Sequence, residues 1–271
     1  MADLTQRSRS YLLDDDGAET SEAGRLDQRA RAMFALEAPA LAEHGLRPGQ
    51  TIVDLGCGQG TYLGLVADAF AGSRCVGLDR NEKLLARAAG VPGVAATAAC
   101  DLANRQALLG ALGRQQPDAV YSRFVFQHMN DAERAAVLGA LREAAGSRPL
   151  RVILIDVDSA SGYFEPDSPL LTEARTQLAA QQARAGGNRF IGSRLEALLA
   201  AAGFRDLRAT RVSVDSDRLG FAAWWAAFGP VLCDSLHHRP SAREAMLEWG
   251  RDPGTAKGFR AGFELFFASG R

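Results

Sequence analysis

The residues best suited to do chemistry in this chain are three acids, each of which ends or follows a short apolar segment: Asp54, Asp79 and Asp101. The first acid precedes residues 56–60, Gly-Cys-Gly-Gln-Gly, in which glycine occupies every second position. Glycine lets a backbone pass close to a ligand and adopt dihedral angles that a Cβ atom would forbid. A carboxylate such as that of Asp79 can accept hydrogen bonds from both hydroxyls of a ribose. Together these residues predict a pocket for a nucleotide or nucleoside.

A parallel sheet would bring these residues together, and the remaining pattern predicts one. Apolar, strand-like segments alternate with segments of helical spacing. The predicted strands are 51–55, 74–79, 93–98, 117–122 and 150–157, and the predicted helices between them are 61–70, 81–89, 104–113 and 131–145. This alternation indicates a doubly wound, Rossmann-like α/β fold with helices on both faces. Because such sheets bind ligands at the carboxyl ends of their strands, the acids and the glycine turn would share one edge.

The regions that flank this pattern complete the predicted fold. Residues 1–20 are interpreted as a polar, mobile N-terminal arm, and 21–271 as one domain that opens with an N-terminal helical segment, 21–44, interrupted near Pro39. After the fifth strand we expect a loop at 162–169, helices to about 185 and over 193–202, and strands over 204–214 and 263–267. These elements predict a seven-stranded sheet with a reversed last strand.

A C-terminal insertion at about 215–258 separates the last two predicted strands and contains all three tryptophans. An insertion of this length is usually functional, so we expect it to form a lid together with the N-terminal helical segment. Its aromatic residues follow i, i+3, i+4, i+7 spacing: Phe221, Trp224, Trp225 and Phe228. Such a stripe favours core packing of a lid helix, and a wall against substrate is the alternative.

The glycine spacing distinguishes two families of nucleotide-binding sheet. Nicotinamide-binding folds use G-x-G-x-x-G/A, whereas here Gly60 arrives one residue early and Asp54 precedes the turn. This arrangement resembles motif I of class I S-adenosylmethionine-dependent methyltransferases of the small-molecule type. The resemblance spans roughly residues 20–214 and continues through four further segments: Val-Gly-Leu-Asp-Arg at 76–80, Ala-Cys-Asp-Leu at 99–102, residues 118–129, and 191–204 with its Gly-Phe end.

The resemblance implies S-adenosyl-L-methionine as cofactor and assigns roles to individual residues. In that family an acid like Asp101 accepts from the adenine amino group and the next backbone N–H binds the ring. Residues like Arg123 and Phe124 lie beside the methionine part, and an aromatic residue in the N-terminal arm closes over it in some members. The implied cofactor-binding residues are therefore Tyr11, Asp54, Gly56, Cys57, Gly58, Asp79, Arg80, Asp101, Leu102, Arg123 and Phe124.

Several of these residues also have a purely structural interpretation. Asp79 would interact favourably with a helix N-terminus, and Asp101 would cap the following helix. Asp54 would hold the loop without touching a ligand, Cys57 would act as a small filler, and Tyr11 would pack the arm onto the core. The glycines would equally suit a tight turn without a ligand.

Methyl transfer depends mainly on orienting a nucleophile close to the methyl carbon. His128 is the candidate general base, because imidazole titrates near neutral pH. The family often has a structural histidine at this position, and we favour that role. Aromatic candidates for a cation-friendly wall are Phe124, Phe126, Tyr163 and Phe164, and Asp156 or Asp158 at the end of the fifth strand is a candidate substrate contact.

Composition excludes several classes of partner. The 271 residues carry a formal net charge of −1, which argues against nucleic acid and anionic membranes. Apolar stretches are too short for a membrane span, and the N-terminus lacks a signal-peptide core, so a cytoplasmic location is expected. The four cysteines show no CxxC pair, and Cys233 with His237 and His238 supplies too few ligands for a metal.

The sequence therefore favours a cytoplasmic methyltransferase that acts on a small molecule, with specialised biosynthesis as the expected setting and the oligomeric state left open. Three alternatives stay open. In the first, the enzyme uses S-adenosylmethionine as its substrate and cyclises it with release of methylthioadenosine. In the second, the protein binds this compound without catalysis. In the third, it is a nicotinamide-dependent oxidoreductase. The early third glycine and Asp101 speak against the oxidoreductase.

Overall fold

Strands and helices alternate along the chain in the computed structural model, which describes residues 22–146, 148–252, 254 and 257–271. Tyr11 and the predicted arm, 1–20, lie outside these residues. The strands are β1 (Thr51–Leu55), β2 (Arg74–Asp79), β3 (Val94–Ala99), β4 (Ala119–Arg123), β5 (Arg151–Val157), β6 (Tyr163–Glu165), β7 (Arg208–Asp215) and β8 (Arg260–Gly270). The helices are α1 (Glu22–Glu43), α2 (Thr61–Ala69), α3 (Glu82–Ala88), α4 (Arg105–Gln115), α5 (Asp131–Ala145), α6 (Pro169–Arg184), α7 (Leu195–Ala201), α8 (Ser216–Leu219), α9 (Phe221–Ser235) and α10 (Pro240–Arg251).

The described strands form one eight-stranded sheet in the order β3-β2-β1-β4-β5-β8-β6, with β7 on the other side of β8. β1 to β5 are mutually parallel, and β8 runs antiparallel to β5, β6 and β7, so the predicted doubly wound sheet with a reversed last strand is confirmed. The predicted number of seven strands was wrong. β8 begins at Arg260 and extends beyond the end of β5, and this extension pairs with β6, a segment predicted as loop.

Local sequence signals set most helix ends. α5 begins with a capping box, because Asn130 accepts from the Glu133 backbone N–H and Glu133 accepts from that of Asn130. α6 begins with Ser168 as its cap and proline at the first helical position. The predicted interruption of α1 near Pro39 was wrong, since α1 is continuous. Fully buried Met33 and Leu41 anchor α1 on both sides of Pro39, and this packing outweighs the local cost of the proline.

Side chains alternate across the sheet and build a core on each face. On β5, Ile153 and Ile155 belong to one core, while Val152 and Leu154 belong to the other. The first core continues into α1 and into α9 of the insertion, whose aromatic stripe packs against α6, α10 and α1. The predicted core packing of this stripe is therefore seen. Among the described residues, no helix is both long and apolar enough to cross a membrane.

Candidate active site

A cavity of about 590 Å³ opens at the carboxyl edge of the sheet, where β1, β2 and β4 end. Residues from three parts of the fold line it. The strand ends and their loops supply the floor, and α1 lines the cavity with Leu26, Arg29 and Ala30. The end of α6 lines it with Leu178, Gln181 and Gln182, followed by Ala185 and Gly187 of the next turn. Ten of the eleven predicted cofactor-binding residues line this single cavity, and Tyr11 lies outside the described residues.

The glycine loop between β1 and α2 is shaped by three left-handed backbones. Gly56, Gly58 and Gly60 have φ angles of 83°, 56° and 81°. A Cβ atom on Gly56 would lie 2.5 Å from Val125, and one on Gly60 would lie 2.8 Å from Ala88, so both positions require close packing. A Cβ atom on Gly58 would meet no protein atom within 4 Å. Gly58 therefore faces open cavity, which leaves room for a ligand to approach its backbone.

Asp79 and Asp101 stand at the ends of neighbouring strands on this edge. Asp79 accepts the backbone N–H of Gly58 through Oδ2 and that of Asn81 through Oδ1, each at 2.9 Å. A carboxylate has about four acceptor positions, so Asp79 fixes the glycine loop and retains capacity for two further donors. Asp101 accepts the Ala103 N–H at 3.1 Å and is otherwise exposed to the cavity mouth. The chemistry of this set fits a ribose and a neighbouring amino group.

Arg123, at the end of β4, is held by a buried ion pair with Glu37 of α1. Its Nε and Nη2 donate to the two Glu37 carboxylate oxygens at 2.8 and 2.7 Å, and the Tyr62 hydroxyl donates to the same carboxylate at 2.6 Å. The guanidinium also stacks on the rings of Tyr62 and Phe124, with its carbon 4.3 Å from each centroid. This network ties α1 to the strand edge, and nothing in the sequence analysis anticipated Glu37.

Phe124 has a φ of 59°, a left-handed conformation that is strained for a non-glycine residue. Its N–H donates to the Ile155 carbonyl at 2.9 Å. Besides Arg123, the Arg29 guanidinium of α1 lies over the ring, 5.1 Å from its centroid. The Phe124 ring therefore contacts two guanidinium groups, and the residue lines the cavity.

Asp54, at the end of β1, is a buried acid on the cavity floor. It accepts the Tyr121 hydroxyl at 2.8 Å, and burial, reinforced by the charge of Asp79, raises the pKa of its carboxyl to about 7. Cys57 is buried between the loop and β2, where a Cβ atom on Gly77 would lie only 2.6 Å from its sulfur. Burial raises the pKa of the Cys57 thiol, so it is not a thiolate nucleophile.

His128 lies in a 3-10 turn, Phe126–His128, and lines the same cavity. Its Nδ1 is 2.7 Å from the side-chain amide nitrogen of Gln182 on α6. Burial, together with the charges of Arg189, Arg29 and Arg80, lowers the pKa of its imidazole to about 3. A group with so low a pKa is neutral at pH 7 and holds an abstracted proton poorly, which disfavours the candidate role of His128 as general base.

A match to a known protein family indicates the function of the cavity at the carboxyl edge of the sheet. Residues 52–147, from the start of β1 through the end of α5, match a family model described as a methyltransferase domain. The chain contains a class I S-adenosylmethionine-dependent methyltransferase domain. S-adenosyl-L-methionine is therefore its cofactor, as the sequence predicts, and the protein is a methyltransferase.

Solved structures share the fold of this methyltransferase at low sequence identity. A cyclopropane-fatty-acyl-phospholipid synthase-like protein from Lactobacillus casei is 16% identical, with a TM-score of 0.56 over 89% of this chain and 91% of its own. A methyltransferase from Anabaena variabilis is 14% identical, with a TM-score of 0.52 over 92% and 95%. A mycolic acid cyclopropane synthase in complex with S-adenosylhomocysteine and CTAB is 14% identical, with a TM-score of 0.51 over 88% and 84%. No curated protein matches the chain in sequence.

Other predicted substrate contacts of the methyltransferase lie elsewhere. Asp156 is buried and accepts the N–H groups of Gln127 and Val157, and Asp158 accepts those of Ala160 and Ser193. Both acids therefore fix the turns around β5. Of the four aromatic candidates, Phe124 is the one that lines the cavity within the described part of the chain.

The residues that sequence reasoning missed come from α1 and α6. Glu37 on α1 and Gln182 on α6 each stand in an otherwise apolar stripe with helical spacing. On α1 the stripe is Leu26, Ala30, Met33 and Glu37, and on α6 it is Leu171, Ala174, Leu178 and Gln182. A polar residue within an apolar stripe was the available signal, because a polar group that faces the interior must find a partner there.

Proposed function

We propose that this methyltransferase transfers the methyl group of S-adenosylmethionine to a small molecule bound between α1 and α6. The observation that supports it most is the continuity of one cavity from the glycine loop to the α6 wall. Its volume is in the range of small-molecule pockets, and it is lined on the α6 side by Leu178 and by amide side chains. A cytoplasmic location and a role in biosynthesis belong to the same proposal.

The cofactor-binding residues fit this ligand by their chemistry. Asp79 would accept the ribose hydroxyls, Asp101 and Leu102 would bind the adenine, and the open face of Gly58 would accommodate the close approach of the cofactor. Asp54, Arg80, Arg123 and Phe124 would surround the methionine part, with Gly56 and Cys57 shaping the loop. When bound, S-adenosylmethionine supplies an electrophilic methyl carbon that bonds to the acceptor's lone pair while the carbon–sulfur electron pair stays with sulfur.

The protein's own contribution is position rather than proton abstraction. Phe124 contacts the guanidinium groups of Arg29 and Arg123, and Arg123 is held in turn by Glu37. Rigid placement of the two reactants is worth up to roughly 7–11 kcal/mol in the most favourable intramolecular reactions. No base is required when the acceptor arrives with a free lone pair.

Calorimetric titration with S-adenosylhomocysteine tests the cofactor site. We expect Asp79→Asn to weaken binding by about 1–3 kcal/mol, because a charged acceptor of two ribose hydroxyls is lost. Asp118→Asn is the matched control, since Asp118 also accepts a backbone N–H, that of Thr51, but lies at the opposite edge of the sheet. Equal affinities for wild type and Asp79→Asn would contradict the ribose assignment.

Product analysis tests the reaction itself. Incubation of the full chain with S-adenosylmethionine and a panel of small acceptors should yield S-adenosylhomocysteine and a methylated acceptor. Methylthioadenosine would instead indicate intramolecular cyclisation, and an unchanged cofactor that still binds would indicate a binding protein. If NADH stabilised the protein against thermal unfolding and S-adenosylhomocysteine did not, the oxidoreductase alternative would be supported instead.

A further inference from the structure

Four arginines lie around the first residue of β5, at the amino edge of the sheet and opposite to the cavity. Arg151 begins β5 and, in the antiparallel register of β5 and β8, lies beside Arg271, which follows the last residue of β8. Arg208 begins β7, which pairs with the same end of β8. Arg47 lies in the turn that leads from α1 to β1. The topology of the sheet therefore brings four guanidinium groups to one part of its edge.

Three of these guanidinium groups already have acceptors. Arg208 donates to the side chain and to the backbone carbonyl of Glu43, at 2.8 and 3.1 Å. Arg271 donates through Nε to the Asp206 carboxylate at 2.6 Å, and Arg47 donates to backbone carbonyls near the end of α1. Each of the three is therefore held in place, and part of its donor capacity is filled.

Arg151 differs from the other three, because its side chain donates no hydrogen bond and forms no ion pair within the part of the chain that the structure describes. The side chain is only partly exposed. It packs on the turn after α1, where a Cβ atom on Gly45 would lie 3.1 Å from Nε and 3.3 Å from Cγ. A guanidinium group has five N–H donors, and a partly buried one without acceptors is unfavourable. A ligand with negatively charged oxygens would supply the acceptors that the neighbouring protein groups do not.

The charge around Arg151 is positive, although the whole chain carries a net charge of −1. Burial and the neighbouring arginines lower the pKa of Arg151, and the charge of Asp206 offsets them only in part. A further arginine, Arg205, exchanges backbone hydrogen bonds with Arg271, and the acid at the start of β4, Asp118, accepts a backbone N–H of β1 at 2.8 Å. The register and these bonds place five arginines and three acids around the first residue of β5: Arg47, Arg151, Arg205, Arg208 and Arg271, with Glu43, Asp118 and Asp206. The excess of two positive charges matches the charge of a phosphate dianion.

We propose that Arg151 is the centre of a second binding site, at the amino edge of the sheet, for a small ligand with a dianionic phosphate group. The planar guanidinium of Arg151 donates two parallel N–H bonds to phosphate oxygens, which is the geometry that arginine offers to this group. Arg47 and Arg271 add their positive charge. These three arginines are not among the residues that line the cavity, so the ligand binds independently of S-adenosylmethionine and of methyl transfer.

Calorimetric titration of the full chain with inorganic phosphate tests the site, at low ionic strength and at about pH 8, where this ion is mainly dianionic. We expect saturable binding that is the same with and without S-adenosylhomocysteine. Arg151→Gln should weaken it roughly 10- to 100-fold, because the charged donor fork is lost. Arg151→Lys keeps the charge without the fork and should weaken it less. Arg87→Gln is the matched control, because it removes the same charge from an exposed residue of α3, which packs on β2 and β3 at the far side of the sheet.

Several results would overturn the proposal. Without saturable binding of phosphate there is no site, and equal losses in Arg151→Gln and Arg87→Gln would indicate general attraction of charge. Competition between phosphate and S-adenosylhomocysteine would place the ion in the cavity instead. Binding of phosphatidylglycerol vesicles without binding of free phosphate, measured by sedimentation, would indicate a membrane surface rather than a small ligand. Urea denaturation in the absence of phosphate should show no loss of stability in either Arg151 variant, because this side chain has no acceptor to lose within the described residues.

Discussion

Two helices of similar length, α6 and α9, pack against each other and face different parts of the molecule. α9 carries two tryptophans and two phenylalanines, and its aromatic stripe is buried against α10, α1 and the first residues of β8. α6 is far more polar, yet three of its residues, Leu178, Gln181 and Gln182, line the cavity together with the adjoining Ala185. Aromatic content therefore marks the packed interior here, while amides in an apolar stripe mark the site.

The difference has a physical cause. A large apolar side chain gains most when it is fully removed from water, so a stripe of four of them drives a helix into the core. A wall that must bind and release a ligand stays partly solvated and needs directional groups. Gln182 supplies such a group and is fixed by a hydrogen bond to the turn after β4, whereas buried Glu37 fixes Arg123, which lines the cavity.

The largest expected effect comes from removing an aromatic side chain from the packed helix, α9. Trp225→Ala should lower the free energy of unfolding by about 3–5 kcal/mol, because the ring packs against Trp249 and Phe221 and fills the space beside Gly229 and Gly250. Urea denaturation measures this loss. Affinity for S-adenosylhomocysteine, measured by calorimetry on the folded protein, should not change.

Leu178→Ala on α6 is the matched substitution on the cavity side. Its side chain is only partly buried, so we expect a loss of about 1 kcal/mol in unfolding free energy. If both variants lost the same stability, or if Trp225→Ala abolished cofactor binding, the division between a packed helix and a cavity wall would be mistaken.

A smaller effect is expected where a polar residue stands in the stripe of α1. Glu37→Gln removes the charge that pairs with buried Arg123 and should cost about 3 kcal/mol in unfolding free energy, because an uncompensated guanidinium stays behind. Release of Arg123 should also weaken S-adenosylhomocysteine binding measurably in calorimetry.

Glu43→Gln on the same helix is the control for Glu37→Gln. Glu43 pairs with Arg208 at the surface, where both side chains are half exposed, so the change should stay within about 0.5 kcal/mol. Equal losses from the two substitutions would show that the buried pair contributes no more than a surface one.

The sequence predicted the strand edge well because its signals are local. The glycine loop, the acids at the ends of β1 and β2, and the capping box of α5 each depend on neighbours within a few residues. Strand bounds such as Thr51–Leu55 and Arg74–Asp79 agree with the predicted 51–55 and 74–79 for the same reason. Ten predicted residues meet at one cavity because parallel strands bring their carboxyl ends together.

The cavity walls were not predictable in the same way, since they depend on contacts across the whole chain. Gln182 meets His128 over 54 positions, and Glu37 meets Arg123 over 86. No local pattern encodes such partners. The aromatic insertion was the more conspicuous candidate for a substrate wall, and burial of its stripe left that role to α6.

The smallest expected effect is a change in how stability depends on pH, and it concerns buried titratable groups at the cavity and in the packed interior. Each side holds one acid whose pKa is raised to about 7, Asp54 at the cavity and Asp156 in the interior. Each also holds one histidine with a lowered pKa: His128 at the cavity, at about 3, and His44 in the interior, at about 4. Burial is the leading cause for all four, so both sides follow one rule despite their different roles.

The signs of these shifts oppose each other. Between about pH 4 and 6.5 the unfolded chain holds a proton on each histidine that the folded protein lacks, so the histidine contributions fall as pH falls. In the same window the folded protein holds a proton on each of the two acids, so their contributions fall as pH rises. Because the two histidine contributions and the two acid contributions have opposite signs, these four groups together leave the unfolding free energy of wild type nearly independent of pH in this window.

Replacing His44 removes one pH-dependent contribution to stability in the interior. The contributions of Asp54 and His128 at the cavity stay unchanged. His44 bridges Ser269 at 2.9 Å and Thr210 at 2.7 Å, and glutamine retains hydrogen-bonding capacity there. As the pH rises from 4.5 to 6, we expect the unfolding free energy of His44→Gln to fall relative to that of wild type, by about 1.4 kcal/mol for each pH unit. Urea denaturation at several pH values measures this slope. A variant that stayed parallel to wild type would show that His44 is charged in the folded protein, because only a neutral, buried imidazole gives a proton difference in this window.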